Sequence, residues 1–290
     1  MFKDLLLNPQ TIEALEMFAK KPSHAVLISG QSGSGKMTAA KRLAAGLLSV
    51  DEDKLESYAH FLHVKKAEDK KDIAIEQIRS IVRELGLKIP GRAELRRVIL
   101  IENAGTMSLP AQNALLKSLE EPSIYSVFIL TDEGKSSLLP TISSRTTKIA
   151  VRPVGLASAK KYFTASPDEV EIAWNLSRGL PGLMSRLLST EPSELRAAVA
   201  SAKGLLAMSV YERTVVLDKT ARDKAELDKI LDALARIIQS LYKRDAAKKE
   251  SAMLGTLTKA MTLVLSAQNA LADNAAPRLV ALQIATNLPI

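Results

Sequence analysis

Cysteine is absent from all 290 residues. That omission excludes disulfides, thiolate zinc sites, iron–sulfur clusters and cysteine nucleophiles. Aromatic residues are scarce, at 4% with a single Trp, so the cores must be assembled from Leu, Ile, Val and Ala, a mixture that suits helices. Histidine occurs three times, at His24, His60 and His63. No stretch approaches the roughly 20 uncharged residues of a membrane span, and the start, Met1-Phe2-Lys3-Asp4 before three leucines, lacks the apolar segment of a secretory signal. A cytoplasmic location without membrane contact is the expectation.

A one-sided charge segment is missing too. The net charge is +8, but it divides as 22 basic against 18 acidic residues up to Arg152 and 18 against 14 after it, an excess of four in each part. A dedicated DNA-binding module concentrates its charge on one face or arm. An even spread supports only weak, salt-sensitive contact.

What is present is a division of pattern. Up to residue 152, short continuous apolar runs alternate with helical periodicity. Ala25 to Ile28, Val98 to Ile101 and Val127 to Leu130 read as strands buried on both faces of a parallel sheet, with His60 to Val64 and Thr147 to Val151 as further candidates. Helices are predicted at 9–20, 35–49, 73–86 and 108–120, the last capped by Ser108 with Pro110 in its first turn. Strand, helix, strand in repetition means an open α/β sheet. After Pro153 the strand signals stop, and amphipathic runs follow at about 155–165, 167–176, 180–188, 192–203, 207–220, 223–247, 250–270 and 274–288. Gly179-Leu180-Pro181-Gly182 interrupts them, and Gly204 is taken as a second break. Three domains are therefore expected: α/β over 1–152, a small helical lid over 153–203, and an all-helical part over 204–290.

The most specific motif is Gly30-Gln31-Ser32-Gly33-Ser34-Gly35-Lys36, between a strand and a helix. It satisfies the G-x-x-x-x-G-K part of a phosphate-binding loop. Glycines let successive N–H groups curl around an anion, the helix N-terminus adds its dipole, and Lys36 reaches the terminal phosphates. Position 37, where Ser or Thr would ligate magnesium, is Met37, and a thioether is a poor ligand for that ion. Thr38 carries a hydroxyl one residue on, a step of about 100° around the helix. The third strand ends in Glu102-Asn103, where a P-loop ATPase normally has Asp for the metal and often a Glu that polarises water. Glu102 is one methylene too long for the first task, and Asn103 cannot accept a proton. Three substitutions at three hydrolytic positions point to a P-loop fold that has lost turnover.

Ala111-Gln112-Asn113-Ala114-Leu115-Leu116-Lys117-Ser118-Leu119-Glu120-Glu121-Pro122, then Phe128 to Thr131 and Leu138 to Arg145, closely resemble bacterial clamp-loader subunits, the AAA+ proteins of the DNA polymerase III holoenzyme. Ser23-His24-Ala25, Ile75-Glu76-Gln77-Ile78-Arg79 and Gly179-Leu180-Pro181-Gly182 add to the resemblance, which covers residues 1–190. Met37, Glu102, Asn103 and Gly182, the last where motor subunits carry a nucleotide-sensing arginine, are similar to the delta-prime branch. The resemblance implies an AAA+ domain, a lid and a C-terminal collar. It also implies an arginine finger, since the family's Ser-Arg-Cys motif stands here as Ser144-Arg145-Thr146. Its implied partners are motor subunits and a delta subunit, with the sliding clamp contacted indirectly and primer–template DNA within the assembly. The four-cysteine zinc module of most members is absent, so no zinc is expected.

The site residues expected on this reading are Arg145, acting in trans; Gly30, Gly33, Gly35, Lys36 and Thr38 in a degenerate P-loop; and Glu102 and Asn103 in a degenerate second motif. No metal ligand and no required cofactor follow, only weak ATP or ADP binding. Two other readings stay open: a motor subunit or related P-loop ATPase in which Thr38 or a water replaces the lost ligand, and a stand-alone nucleic-acid binder. His60 and His63, three apart in a strand, point to opposite faces and suit core or surface roles rather than a shared metal. Trp174 is placed in a helical core. Lys243, Arg244, Lys248 and Lys249 form a basic cluster that is either a solvated helix end or a contact with DNA or a partner.

Overall fold

The computed structural model describes residues 1–67, 70–85, 97–122, 125–134, 138–247 and 251–289. Lys248 and Lys249 of the basic cluster lie outside the described residues, as do the last residue of the helix expected over 73–86 and the first of that expected over 250–270.

In chain order the first half runs α1 (Pro9–Lys20), β1 (Ala25–Ser29), α2 (Lys36–Leu48), β2 (Phe61–Val64), α3 (Ile75–Leu85), β3 (Arg97–Ile101), α4 (Leu109–Glu120), β4 (Ser126–Asp132), α5 (Pro140–Ser144), β5 (Thr147–Ala150) and α6 (Leu156–Tyr162). All five expected strands are present and pair in parallel in the order β2-β3-β4-β1-β5. Parallel neighbours need long crossovers, which the intervening helices supply. Alternation along the apolar runs explains why each needs two covered faces. Val26, Ile28, Val98, Leu100, Val127 and Ile129 pack with α1 and α2 through Leu15, Phe18, Ala40 and Leu43. Ala25, Leu27, Ile99, Ile101, Phe128 and Leu130 pack with α3 and α4 through Ile78, Ile81, Leu115 and Leu119. Each fully buried aliphatic side chain contributes about 1.5–3 kcal/mol. Ser108 caps α4, its hydroxyl accepting from the Ala111 N–H at 3.4 Å, and Pro110 stands in the first turn.

The second half is helical: α7 (Pro167–Ser177), α8 (Pro181–Leu188), α9 (Glu194–Ala207), α10 (Val210–Thr220), α11 (Lys224–Ala247), α12 (Ser251–Ala272) and α13 (Pro277–Asn287). Its core joins Val199, Ala202 and Leu205 of α9 to Leu231, Leu234 and Ile238 of α11, Leu257, Ala260 and Val264 of α12, and Val280 and Ile284 of α13. Arg213, 4% exposed, donates to the Leu205 and Leu288 carbonyls at 2.8 and 2.9 Å and so satisfies acceptors at the ends of α9 and α13.

The break expected at Gly204 is corrected. Gly204 lies inside α9, which continues to Ala207. A glycine in a helix interior costs about 1 kcal/mol, less than the gain from burying Val199 and Leu205 of the same helix. The chain turns at Ser209, which forms a capping box with Glu212 at the start of α10. By contacts the chain forms two compact units, Met1–Tyr162 with Leu180–Gly182, and Phe163–Gly179 with Leu183–Ile290. Trp174 is half-buried on α7.

Candidate functional site

Ligands of open parallel sheets sit beyond the carboxyl ends of the strands. The loop that follows β1 has the backbone an anion cradle needs. Gly33 and Gly35 adopt φ of 80° and 88°, left-handed values that side chains resist. A Cβ on Gly30 would stand 2.7 Å from Ser34 Oγ and 3.1 Å from the Val151 carbonyl. The Gly30 N–H donates to the Asp132 carbonyl at 3.0 Å, tying the loop to β4. The first turn of α2 then presents N–H groups with no intrahelical acceptor.

A cavity of about 280 Å³ opens here, lined by Gly33, Gly35, Lys36, Met37, Thr38, Glu102, Asn103, Thr131, Glu133 and Gly182, among others. It therefore brings together most of the expected site residues; Gly30 lies at the base of the loop. Two of its charged groups, however, face partners from their own chain. Lys36 is buried, with Nζ 3.8 Å from Glu133 Oε1. Glu102 Oε2 lies 3.4 Å from His63 Nε2, and the same ring meets Glu56 Oε1 through Nδ1 at 3.1 Å. Lys41 completes the row, 2.7 Å from Glu56. Burial opposes ionisation of Glu56, but Lys41 and then His63 outweigh it and hold the carboxyl below its usual range. The Gly182 N–H donates to the Gly33 carbonyl at 2.8 Å, and a Cβ on Gly182 would come within 3.1 Å of that oxygen.

Asn103 has a role in the backbone as well as at the cavity. Its φ of 49° is left-handed, a conformation Asn tolerates better than most residues. Its N–H donates to Thr131 Oγ1 at 2.9 Å, and its carbonyl accepts from the Thr106 N–H and hydroxyl. Met37 packs against the sheet core while also lining the cavity, and Thr38 stands exposed on the same lining. The donor set of a thioether, a glutamate facing an imidazole and a carboxamide is a poor match for a magnesium–nucleotide complex. Among the described residues, no group of three or more His, Asp or Glu is placed to hold a metal.

Arg145 lies elsewhere. It follows the last residue of α5 and precedes β5, and β5 pairs in parallel with β1, Val26 opposite Thr147. The phosphate loop leaves the carboxyl end of β1, whereas Arg145 enters at the amino end of β5. At about 3.3 Å per residue, the strand length alone separates the two by roughly 10 Å. Arg145 Nη1 donates to the Thr141 carbonyl at 3.1 Å, and Nη2 pairs with Glu120 Oε1 at 2.8 Å. Its side chain is 38% exposed.

The His63 row escaped the sequence reading. His60 precedes β2 and meets the Tyr58 ring edge-on at 5.6 Å, while His63 sits in β2 between two carboxylates. The visible signal was a His one residue from the end of the strand expected over 60–64. The pairing of β2 with β3, Val64 opposite Ile101, was needed to use it. In the basic cluster, Arg244 pairs with the buried Asp245 at 3.0 Å.

Residues 8–155 match the sequence model of the family described as "DNA polymerase III, delta subunit". The chain is 36% identical over 198 residues to the DNA polymerase III subunit delta' of Pseudomonas aeruginosa, covering 61% of this chain and 59% of that protein. It is 32% identical over 134 residues to the subunit delta' of Haemophilus influenzae, covering 42% and 40%. The matched region thus spans less than two thirds of the length of these relatives. Among solved structures, a DNA polymerase III gamma subunit-related protein from Thermotoga maritima superposes with a TM-score of 0.52 at 18% identity, covering 97% of this chain and 100% of that one. The likeness in fold extends over both halves and agrees with an AAA+ P-loop domain followed by helices.

Proposed function

Because the chain belongs to the DNA polymerase III delta subunit family, we propose that it is a delta-prime-like, stator-type subunit of a clamp loader. In this reading it joins motor subunits and a delta subunit, and lends Arg145 to a neighbour's ATP site while the assembly loads a sliding clamp on primed DNA. The observation that supports this most is the placement of Arg145 at the opposite end of the strands from the chain's own phosphate loop. An arginine so placed serves a nucleotide only on another subunit, where it stabilises charge on the transferring phosphoryl group. The engaged state of Lys36, Glu102 and Gly182 supports the complementary half, that the chain's own loop turns over little or no ATP.

The chain's residues then bind and position. The loop glycines and Lys36 retain an anion cradle suited to weak ATP or ADP occupancy, with no cofactor required. The evenly spread +8 charge suits a share in DNA held by the whole assembly rather than an autonomous site. A cytoplasmic setting belongs to the same proposal, as does a three-part organisation of α/β domain, lid and collar in which the passage from lid to collar comes at Ser209, after α9, rather than at Gly204.

Thr38 on the cavity lining favours a second reading, an active motor subunit or related ATPase in which its hydroxyl or a bound water replaces the lost ligand. Turnover by the purified chain separates the two. The stator reading expects ATP hydrolysis at background with or without Lys36→Ala. Robust magnesium-dependent hydrolysis that Lys36→Ala abolishes would establish the second reading instead.

A further inference from the structure

A cavity of about 430 Å³ lies in the helical unit, lined by Arg178, by Gln239 and Tyr242 of α11, and by Leu257, Thr258, Met261, Thr262 and Leu265 of α12. Its volume falls within the roughly 300–1,000 Å³ of small-molecule sites. Its walls are mostly apolar: Leu257 is fully buried, Met261 is half-buried, and Tyr242 and Leu265 are exposed at the rim, 41% and 47%. The two threonines are satisfied within α12, donating to the Leu254 and Thr258 carbonyls at 2.8 and 3.0 Å.

Two polar atoms on this lining are buried with no partner among the described residues, Arg178 Nε and Gln239 Oε1. A buried donor or acceptor left unpaired costs about 1–3 kcal/mol, and more where charge is involved. Among the described residues Arg178 makes no ion pair. The nearby carboxylate of Asp232 is taken by Arg236, whose Nε donates to it at 2.7 Å. Asp232 is thus committed to Arg236, and the half-buried Arg178 is left with an unpaired Nε. Desolvation, with Arg236 second, lowers the Arg178 pKa from its ordinary value. Arg178 is moreover held at φ 58°, a left-handed value uncommon outside glycine and Asn, immediately after α7.

We propose that this cavity binds the carboxyl-terminal residue of a peptide: the terminal carboxylate on Arg178, the residue's own N–H on Gln239 Oε1, and a branched apolar side chain against Leu257, Met261 and Leu265. The chemistry selects this ligand class on three counts. One guanidinium matches one carboxylate, bidentate where the fork is free. An orphaned carbonyl oxygen asks for a donor close to that anion, which a peptide terminus carries and a simple fatty acid lacks. Apolar walls exclude a phosphodiester backbone, which would be stripped of water without further cations. The proposal is independent of the nucleotide reading, since every lining residue lies in the helical unit.

The test uses the full chain, calorimetry, and three probes: N-acetyl-alanyl-leucine as the free acid, the same peptide as its carboxamide, and 4-methylpentanoate. The free acid is expected to bind about tenfold or more tightly than the carboxamide, with 4-methylpentanoate weaker than the free acid. Arg178→Gln should reduce the acid to the level of the carboxamide, and Gln239→Leu should erase the advantage over 4-methylpentanoate. Equal binding of acid and carboxamide overturns the proposal, as does binding that survives Arg178→Gln or no binding at millimolar concentration. The acid-against-carboxamide comparison on the unaltered chain decides the matter even where a variant does not fold.

Discussion

The two ends of the parallel sheet are built on opposite terms. Beyond the carboxyl ends of the strands, a loop with the right glycines and the right lysine is closed on itself: Lys36 faces Glu133, Glu102 faces His63, and the Gly33 carbonyl takes the Gly182 N–H. At the amino end, Arg145 is held only by Glu120 and one carbonyl, both contacts at the surface. An exposed ion pair is worth about 0–1 kcal/mol, so Arg145 exchanges partners cheaply, whereas Lys36 is itself buried and the loop is tied from the far side by Gly182. A chain can thus keep a phosphate-loop fold as scaffold while an arginine held only by surface contacts points outward at the other end of the sheet.

Substitutions can break or sharpen that contrast. The largest stability effect is expected at Gly182, where the Cβ of a leucine would come within 3.1 Å of the Gly33 carbonyl and force the loop to shift. Overpacking of this kind costs about 1–3 kcal/mol, seen as a lower midpoint in urea or thermal unfolding. An unchanged midpoint for Gly182→Leu would mean that the loop is not held from that side. Next comes Asn103→Val. A β-branched residue at φ 49° should cost about 1–2 kcal/mol, while Asn103→Gly is expected to be tolerated. If valine and glycine behave alike, the backbone reason for Asn103 fails.

At the other end, Arg145→Ala should change stability by less than about 0.5 kcal/mol, because the Glu120 pair is exposed. A loss of several kcal/mol would recast Arg145 as structural. The smallest effect concerns pH. The Glu56 carboxyl is held below its usual value of 4.5, so its ion pairs contribute stability above that pH and the contribution is lost as pH falls through the lower folded value. Unfolding midpoints measured from pH 7 down to pH 3 should fall less steeply in Lys41→Met than in the unaltered chain.

Much of the sheet was legible because continuous apolar runs have few alternatives: Val98 to Ile101, buried on both faces, can hardly be anything but an inner strand. Helix limits followed from local caps such as Ser108, and the cap at Ser209 with Glu212 was equally readable, although Gly204 drew the break instead. The loop motif located the cavity. Its state was not legible, since the partners of Glu102 and of Gly33 come from positions 39 residues before and 149 residues after, joined only by strand pairing and by the return of the chain at Gly182. The 100° step that turned Thr38 away from an ion did not anticipate a lining that wraps the first turn of α2 to include both residues 37 and 38. Arg145 was found through resemblance alone. The parallel register of β5 on β1 supplied the reason it cannot serve its own loop.

The measurement that bears most directly on this account is the ATPase rate of the assembly reconstituted with motor subunits, comparing Lys36→Ala with Arg145→Ala in this chain. The account predicts that Lys36→Ala leaves the rate unchanged. Arg145→Ala should slow the one site it serves by on the order of 10³-fold or more, with assembly on a sizing column intact. A rate that falls with Lys36→Ala and holds with Arg145→Ala would contradict it.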